Sequence, residues 1–436
     1  MDWNRWYSLK SYLKSSLWTV PLIAVAVYAT LKPLTEMLGR WMTGRGVLDP
    51  KSGLLGLSMT GARSLVGDIV SADLSFLVFT FGSLLVAIQV AGGQYTPRII
   101  ATTLLRDNII RGISGLFVFT LLFANRTLGW MGENEVHQLQ VLIAALFGFA
   151  SVVAFLFLID YAAKSLRPVS LVARIGEQGI EVIESVYPAP TMGPMAPPQI
   201  DRKRDVPDRI VRHEGKSGIV LAVNLQTLVA KARRANMVIE VVPQVGDFVA
   251  VDEPLFYLYG SGAIEDSTLR TLVALGTERT MEQDPMFAFR ILVDIALKAL
   301  SAAINDPTTA VLAIDQLHRL LRVVGKRSLR LEEIADRSGR VRVKLRTPNW
   351  EDFVHVSFRE IRQCGAGSIQ IARRLRAALE NLIQCLPDHR HEELHVELAL
   401  LDCAIASKHP FPEDLALARI PDSQGLGGSA ASTANS

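Results

Sequence analysis

The apolar residues of this 436-residue chain are unevenly spread: four long runs fall within the first 160 positions, at about 12–31, 74–91, 109–124 and 139–158. A helix needs roughly 20 largely apolar residues to cross a hydrocarbon core of about 30 Å. Backbone polar groups find no water in lipid, so such runs must be helical. The chain is 49% hydrophobic yet 20% charged. The two values fit together if a membrane domain and a water-exposed domain share one chain. Arg5, Lys10 and Lys14 precede the first run and no small-residue cleavage site follows it, so it reads as an uncleaved helix.

Lysines and arginines between the runs set the expected orientation. The N-terminal tail, the second loop with Arg98 and Arg106, and the exit with Lys164, Arg167 and Arg174 are basic. The third loop carries Glu133 and Glu135. Both termini are therefore expected in the cytoplasm. The first loop disagrees, with Lys32, Arg40, Arg45, Lys51 and Arg63. Within it, 54–69 reads as an amphipathic segment lying on the membrane. In the second run, Asp73, Thr80, Ser83, Ala87 and Gln94 recur near one side at helical spacing, with Gln89 beside them. They form either a polar path or, through Ser83, Ala87 and Ala91, a small-residue packing ladder. Asp73 reads as a residue near a helix end. Gly92-Gly93-Gln94-Tyr95-Thr96-Pro97-Arg98 then reads as a corner that ends the helix. Arg98 there is either an inner-surface anchor or a contact for an anion or lipid phosphate.

The rest divides into a linker at 166–206, a small β-rich domain at 207–262, a helical domain at 263–420 and a disordered tail at 421–436. Strands are expected around Ile219 and Ile239. Gly246-Asp247 supplies a positive-φ turn between strands, resembling a lipoyl-type β-sandwich. No lysine occupies the turn, so a carrier role is unsupported. The expected class is thus α+β: a four-helix transmembrane domain, then a cytosolic domain with a lipoyl-like segment and a helical C-terminal part.

The most distinctive stretch runs from Gly276 to Ala310. Asp284-Pro285 and Asp306-Pro307 each pair an N-cap with proline at the first helical position. Glu278, Arg279, Thr280, Gln283, Asp284, Asn305, Asp306 and Thr308 read as a polar cluster around two helix starts. It serves either capping or an anionic ligand. The Gln-Tyr-Thr-Pro-Arg corner, the Gly-Asp turn and the Glu-Arg-Thr…Gln-Asp…Asp-Ile-Ala…Asn-Asp-Pro-Thr-Thr-Ala series together resemble the DUF2254 family of predicted bacterial membrane proteins, over about 10–405. The resemblance implies a bacterial inner-membrane location and carries no catalytic roles.

His391-Glu392-Glu393-Leu394-His395 matches the H-E-x-x-H zinc pattern. It follows a helix start at Pro387-Asp388, and no downstream histidine series completes a site, so His391 and His395 are a weak metal pair. Arg373, Arg374 and Arg376 read as a solvated basic face. The formal charge of +3 comes without a basic stripe, which argues against nucleic acid. Three cysteines late in the chain fit a reducing compartment. No cofactor is expected. The expected partners are the bilayer and further copies of the chain. The functional expectation is a channel- or transporter-like oligomer gated by its cytosolic domain, or else a membrane-anchored regulator or scaffold that binds a partner or small anion.

Overall fold

The computed structural model describes residues 3–16, 18–44, 58–95, 107–131, 138–165, 167–191, 206–329 and 333–428. They fall into two compact units. One comprises Leu13–Gly93 and Ile99–Arg167, the other Met1–Tyr12, Gln94–Arg98 and Pro168–Ser436.

The first unit is a helix bundle of α2 (Thr19–Gly44), α3 (Met59–Gln94), α4 (Asn108–Trp130) and α5 (Gln138–Ser165). Among the described residues three stretches are long and apolar enough to cross a membrane: Met59–Gly93, Asn108–Trp130 and Leu139–Ser165. The run expected at 12–31 is divided instead. Helix α1 (Trp3–Ser15) ends before Thr19 opens α2, whose apolar part is the shorter Thr19–Leu31. Arg111 of α4 is buried and donates to Thr19 Oγ1 and, at 3.0 Å, to the Leu13 carbonyl. The described part of the segment expected to lie on the membrane, 59–69, is the first third of α3.

Aromatic side chains fill the bundle. Phe76 of α3 stacks on Phe155 of α5 with ring centroids 4.2 Å apart, and Phe119 of α4 meets Phe147 of α5 edge-on at 5.0 Å. A Cβ on Gly148 would come within 2.8 Å of Ile69 Cγ1, so glycine lets α3 and α5 approach there. The outer faces stay apolar: Val78 is 67% exposed and Phe149 71%. Such surfaces are stable against hydrocarbon and not against water.

The second unit is α+β. A five-stranded sheet has the order β1 (Arg209–Arg212), β5 (Pro254–Tyr259), β3 (Val238–Val241), β8 (Val341–Leu345), β7 (Glu333–Ala335). Its β3–β8 pair is parallel and its other pairs antiparallel. A three-stranded sheet has the order β4 (Phe248–Val249), β2 (Gly218–Val223), β6 (Val273–Gly276). Val211, Val220, Ile239, Leu258 and Val343 share one core with Leu228 of α7 (Leu225–Arg234) and Leu269 of the short α8 (Asp266–Arg270). Because β6, β7 and β8 come from beyond residue 262, the strands do not close within 207–262 as a lipoyl-like module would.

The helical layer is built around α9 (Pro285–Ala299), which is buried on nearly every side, as expected of a helix apolar all round. Packed with it are α6 (Pro168–Val186), α10 (Pro307–Val324) and α11 (Trp350–Gly365), followed by α12 (Ile369–Cys385), α13 (His391–Lys408) and α14 (Pro412–Ala418). Helix α6 occupies nearly half of the span expected as linker; Leu171, Ile175 and Ile183 make it part of the core. The tail expected to be disordered is docked as far as Gly428. Buried Arg373 of α12 donates to the carbonyls of Ile420 and Gly428, and Gln370 donates to that of Gly425 at 2.7 Å. Residues 429–436 lie outside the described residues. Arg374 and Arg376 are buried as well, paired with Asp315 and Asp402 respectively, which corrects the solvated basic face.

Candidate functional site

The eight residues of the polar cluster do not meet in one place. Asp284 caps the start of α9, accepting from Phe287 N at 3.2 Å. Asp306 caps the start of α10, accepting from Thr309 N at 3.1 Å. The Asp306 N–H donates to the carbonyl of Ala299, at the far end of α9. Helix α9 has 15 residues and so is about 22 Å long at 1.5 Å per residue. The two caps stand apart by about that length.

Around the first cap, residues distant in sequence come together. Asp284 is 3% exposed and forms an ion pair with Arg279. The Arg279 guanidinium lies 5.5 Å from the Phe287 ring centroid. Its other side abuts Gly246, whose φ is +96° and where any Cβ would strike the guanidinium. Gly246 thus serves both the turn and the close approach. Asp247 closes that turn by accepting from Gln244 N at 2.9 Å. Burial raises the Asp284 carboxyl above its ordinary value; the hydrogen bond and charge of Arg279 oppose this only in part. Tyr187, which the sequence did not single out, is buried nearby, and burial together with Asp284 and Asp352 pushes its phenol up. Gln283 accepts from Val223 N at 3.2 Å, tying α9 to β2. The Thr280 hydroxyl is buried without a hydrogen-bond partner among the described residues, and Glu278 is exposed.

At the second cap, Asn305 adopts φ +48° and is exposed, as is Thr308. Tyr95, from the expected corner, is buried in this unit; burial and the Asp306 charge raise its phenol. Thr96, Pro97 and Arg98 lie outside the described residues, as does the side chain of Gln94. Both caps read as structural, because their carboxylates are already engaged by backbone and side-chain donors.

The polar face expected on α3 is split. Asp73 and Thr80 are buried within the bundle with Ala87 and Ala91, whereas Ser83 and Gln89 are exposed on the outer side. Thr80 donates to its own backbone at Phe76, and Ser83 to that at Thr80. Asp73 is 1% exposed and lies inside a 36-residue helix, which corrects its reading as a helix-end residue. Both its carboxyl oxygens are buried without a hydrogen-bond partner among the described residues. Ile69 and Phe76, on the same face of α3, meet Gly148 and Phe155 of α5, which sets Asp73 at the level of Ser151; Ser151 itself donates to Thr120 Oγ1 at 3.3 Å. Ser151 and Thr120 are both fully buried.

His391 Nε2 donates to the Leu386 carbonyl at 2.8 Å, and its ring stands 6.2 Å from that of His395 at 83°. Among the described residues no group of three or more His, Cys, Asp or Glu side chains could hold a metal ion. A cavity of about 740 Å³ on α10 is lined by His318, Arg319, Arg322, Lys326 and Arg327, with Glu184 and Asp315 the acidic members. His318 bonds to Asn381 Oδ1 at 2.9 Å; burial, with Arg374 and Arg322 alongside, holds its imidazole below the ordinary range.

An apolar helix bundle carrying a buried carboxylate, joined to an α+β unit, defines an integral membrane protein with a large non-membrane part. The chain belongs to the DUF2254 family of predicted membrane proteins, whose pattern it matches over residues 14–381. It is 24% identical over 412 residues to an uncharacterised protein of Mycobacterium bovis and, to the same degree, to one of Mycobacterium tuberculosis. The alignments cover 91% of this chain and 78% of each relative. No solved structure matches it.

Proposed function

We propose that this protein is an oligomeric, channel- or transporter-like protein of the bacterial inner membrane, moving a cation through its helix bundle under the control of a cytosolic α+β unit. The observation that carries the reading is Asp73. Ionisable groups inside membrane helices are expensive and mark ion or proton paths when they face the bundle interior, as Asp73 does. Four crossings, with both termini in the cytoplasm, suit the division of the chain. Asn4 N donates to the Thr271 carbonyl at 3.2 Å and Trp3 and Tyr7 pack near Leu221 and Ala274. Residues 3–12, Tyr95 and 168–428 thus belong to one compact unit, so each intervening stretch crosses an even number of times. Helix α3 crosses once, and α2 supplies the return. Ser83 and Gln89 on the outer side of α3 offer hydrogen-bonding groups to a second copy.

Reconstituted protein should pass protons or alkali cations down an imposed gradient. Asp73→Asn should lower that flux at least tenfold. A folded, reconstituted protein without flux would sink the transport reading. The basic cavity on α10 favours a second reading, a membrane-anchored regulator whose α+β unit binds a small anion. Isothermal titration with inorganic phosphate, comparing wild type with Arg322→Gln/Lys326→Gln, tests it; no binding by the wild type ends it.

A further inference from the structure

We propose, resting on the transport reading above, that Asp73 with Ser151 and Thr120 forms an intramembrane proton-binding site. The geometry supplies depth and burial. Thr120 stands at the middle of the 23-residue α4 and Ser151 at the middle of the 28-residue α5. Ile69 of α3 abuts Gly148 of α5 and Phe76 stacks on Phe155, so Asp73, on the same helix face between them, lies level with Ser151 and the centres of these spanning helices. It is 1% exposed, and neither carboxyl oxygen has a hydrogen bond among the described residues. A carboxylate left bare at that depth is strongly unfavourable. It must take a cation there, and the simplest is a proton.

The donor set favours a proton over a metal ion. Hard cations take roughly six to eight oxygens. The site offers the two carboxyl oxygens and the hydroxyls of Ser151 and Thr120. Thr80, one helical stretch away, is committed to the Phe76 carbonyl at 2.7 Å. Arg63 and Asp68 of α3, Arg111 and Arg126 of α4, and Asp160 and Lys164 of α5 carry charge on the surrounding helices, and none of them is hydrogen-bonded to the Asp73 carboxyl. Arg111 is spent on Thr19 and Leu13, Arg63 donates to the Met131 carbonyl, and Lys164 pairs with Asp160.

The two hydroxyls give the site a way to accommodate both protonation states. With the carboxyl neutral, its O–H can donate to Ser151, whose own proton goes to Thr120. On losing one proton the carboxylate becomes acceptor only, and Ser151 can rotate to donate to it. One O–H bond breaks and one proton leaves; nothing is oxidised or reduced.

The test uses full-length protein in liposomes and a membrane-soluble carbodiimide, which reacts with the protonated carboxyl. Labelling located at Asp73 by mass spectrometry should fall about tenfold for each pH unit above its midpoint. Excess sodium or potassium at fixed pH should leave it unchanged, and Ser151→Ala should move the midpoint. The protonated-carboxyl C=O stretch in the infrared difference between wild type and Asp73→Asn gives a second readout that needs no reagent access. Sodium protection, or an infrared difference lacking a protonated-carboxyl band at every pH, would overturn the proposal. Labelling and the band without flux support the site while the transport reading fails. Flux that persists in Asp73→Asn does the reverse.

Discussion

Asp73 and Asp284 are both buried carboxylates, and their surroundings separate their roles. Asp284 has Arg279 and the Phe287 N–H, whereas neither carboxyl oxygen of Asp73 has a hydrogen-bond partner among the described residues. Removing one partner of a buried pair costs about 3–5 kcal/mol, because the other is left uncompensated. Arg279→Met should lower the stability of the α+β unit by about that amount, and Gly246→Ala should destabilise it too, by driving Cβ into the guanidinium at a positive φ. Thermal melts of the purified protein check both; an unchanged midpoint in either would refute the structural role of the Arg279–Asp284 pair against Gly246. The caps themselves were legible in sequence, since Asp-Pro states both the acceptor and the missing N–H. That Arg279 belongs with Gly246 was not, because 33 positions separate them and only the fold brings the turn to the helix start.

At the level of elements, hydropathy located the apolar parts of helices and missed where the helices end. The run at 74–91 is the greasiest portion of α3, but the helix begins at Met59. Asp73 therefore looked terminal when it is interior. The arginines of α12 failed for a related reason. Spaced as a basic face, they are buried because their partners come from elsewhere: Asp315 from α10, Asp402 from α13, and tail carbonyls for Arg373. The tail is held by Asp422, which accepts from the backbone of Gln424, Gly425 and Gly427 at 2.8–3.0 Å. Burial alone would raise this carboxyl, but the three N–H donors and Arg373 outweigh it and hold it below its ordinary 3.8. A depressed carboxyl stabilises docking above its free value and loses that contribution as pH falls through the docked value. Asp422→Ala should therefore expose 420–428 to protease at neutral pH, and wild type should do so only below about pH 3.8. Equal cleavage of mutant and wild type at neutral pH would count against this.

For the whole molecule, the sequence conveyed a membrane half and a mixed half, yet not the interleaving of the chain between them. Residues 3–12 and Tyr95 belong with the α+β unit although they precede or interrupt the bundle. Local periodicity carries no information about such returns. The proposed orientation has a direct check in the cysteines. Cys364 and Cys403 are exposed in the α+β unit. A membrane-impermeant maleimide should label them in inverted vesicles and leave them unlabelled in intact spheroplasts; labelling from outside would reverse the topology.

The docking of Trp3 and Tyr7 on β2 and β6 also sets an order of events in time. Their partners, Leu221, Ala222 and Ala274, emerge from the ribosome about 215 to 270 residues later, a delay of roughly 11–54 s at ordinary synthesis rates. Throughout that interval Trp3 and Tyr7 lack the surface that they cover in the folded unit. Helix α1 can therefore take its final place only after β2 and β6 exist, long after its own synthesis.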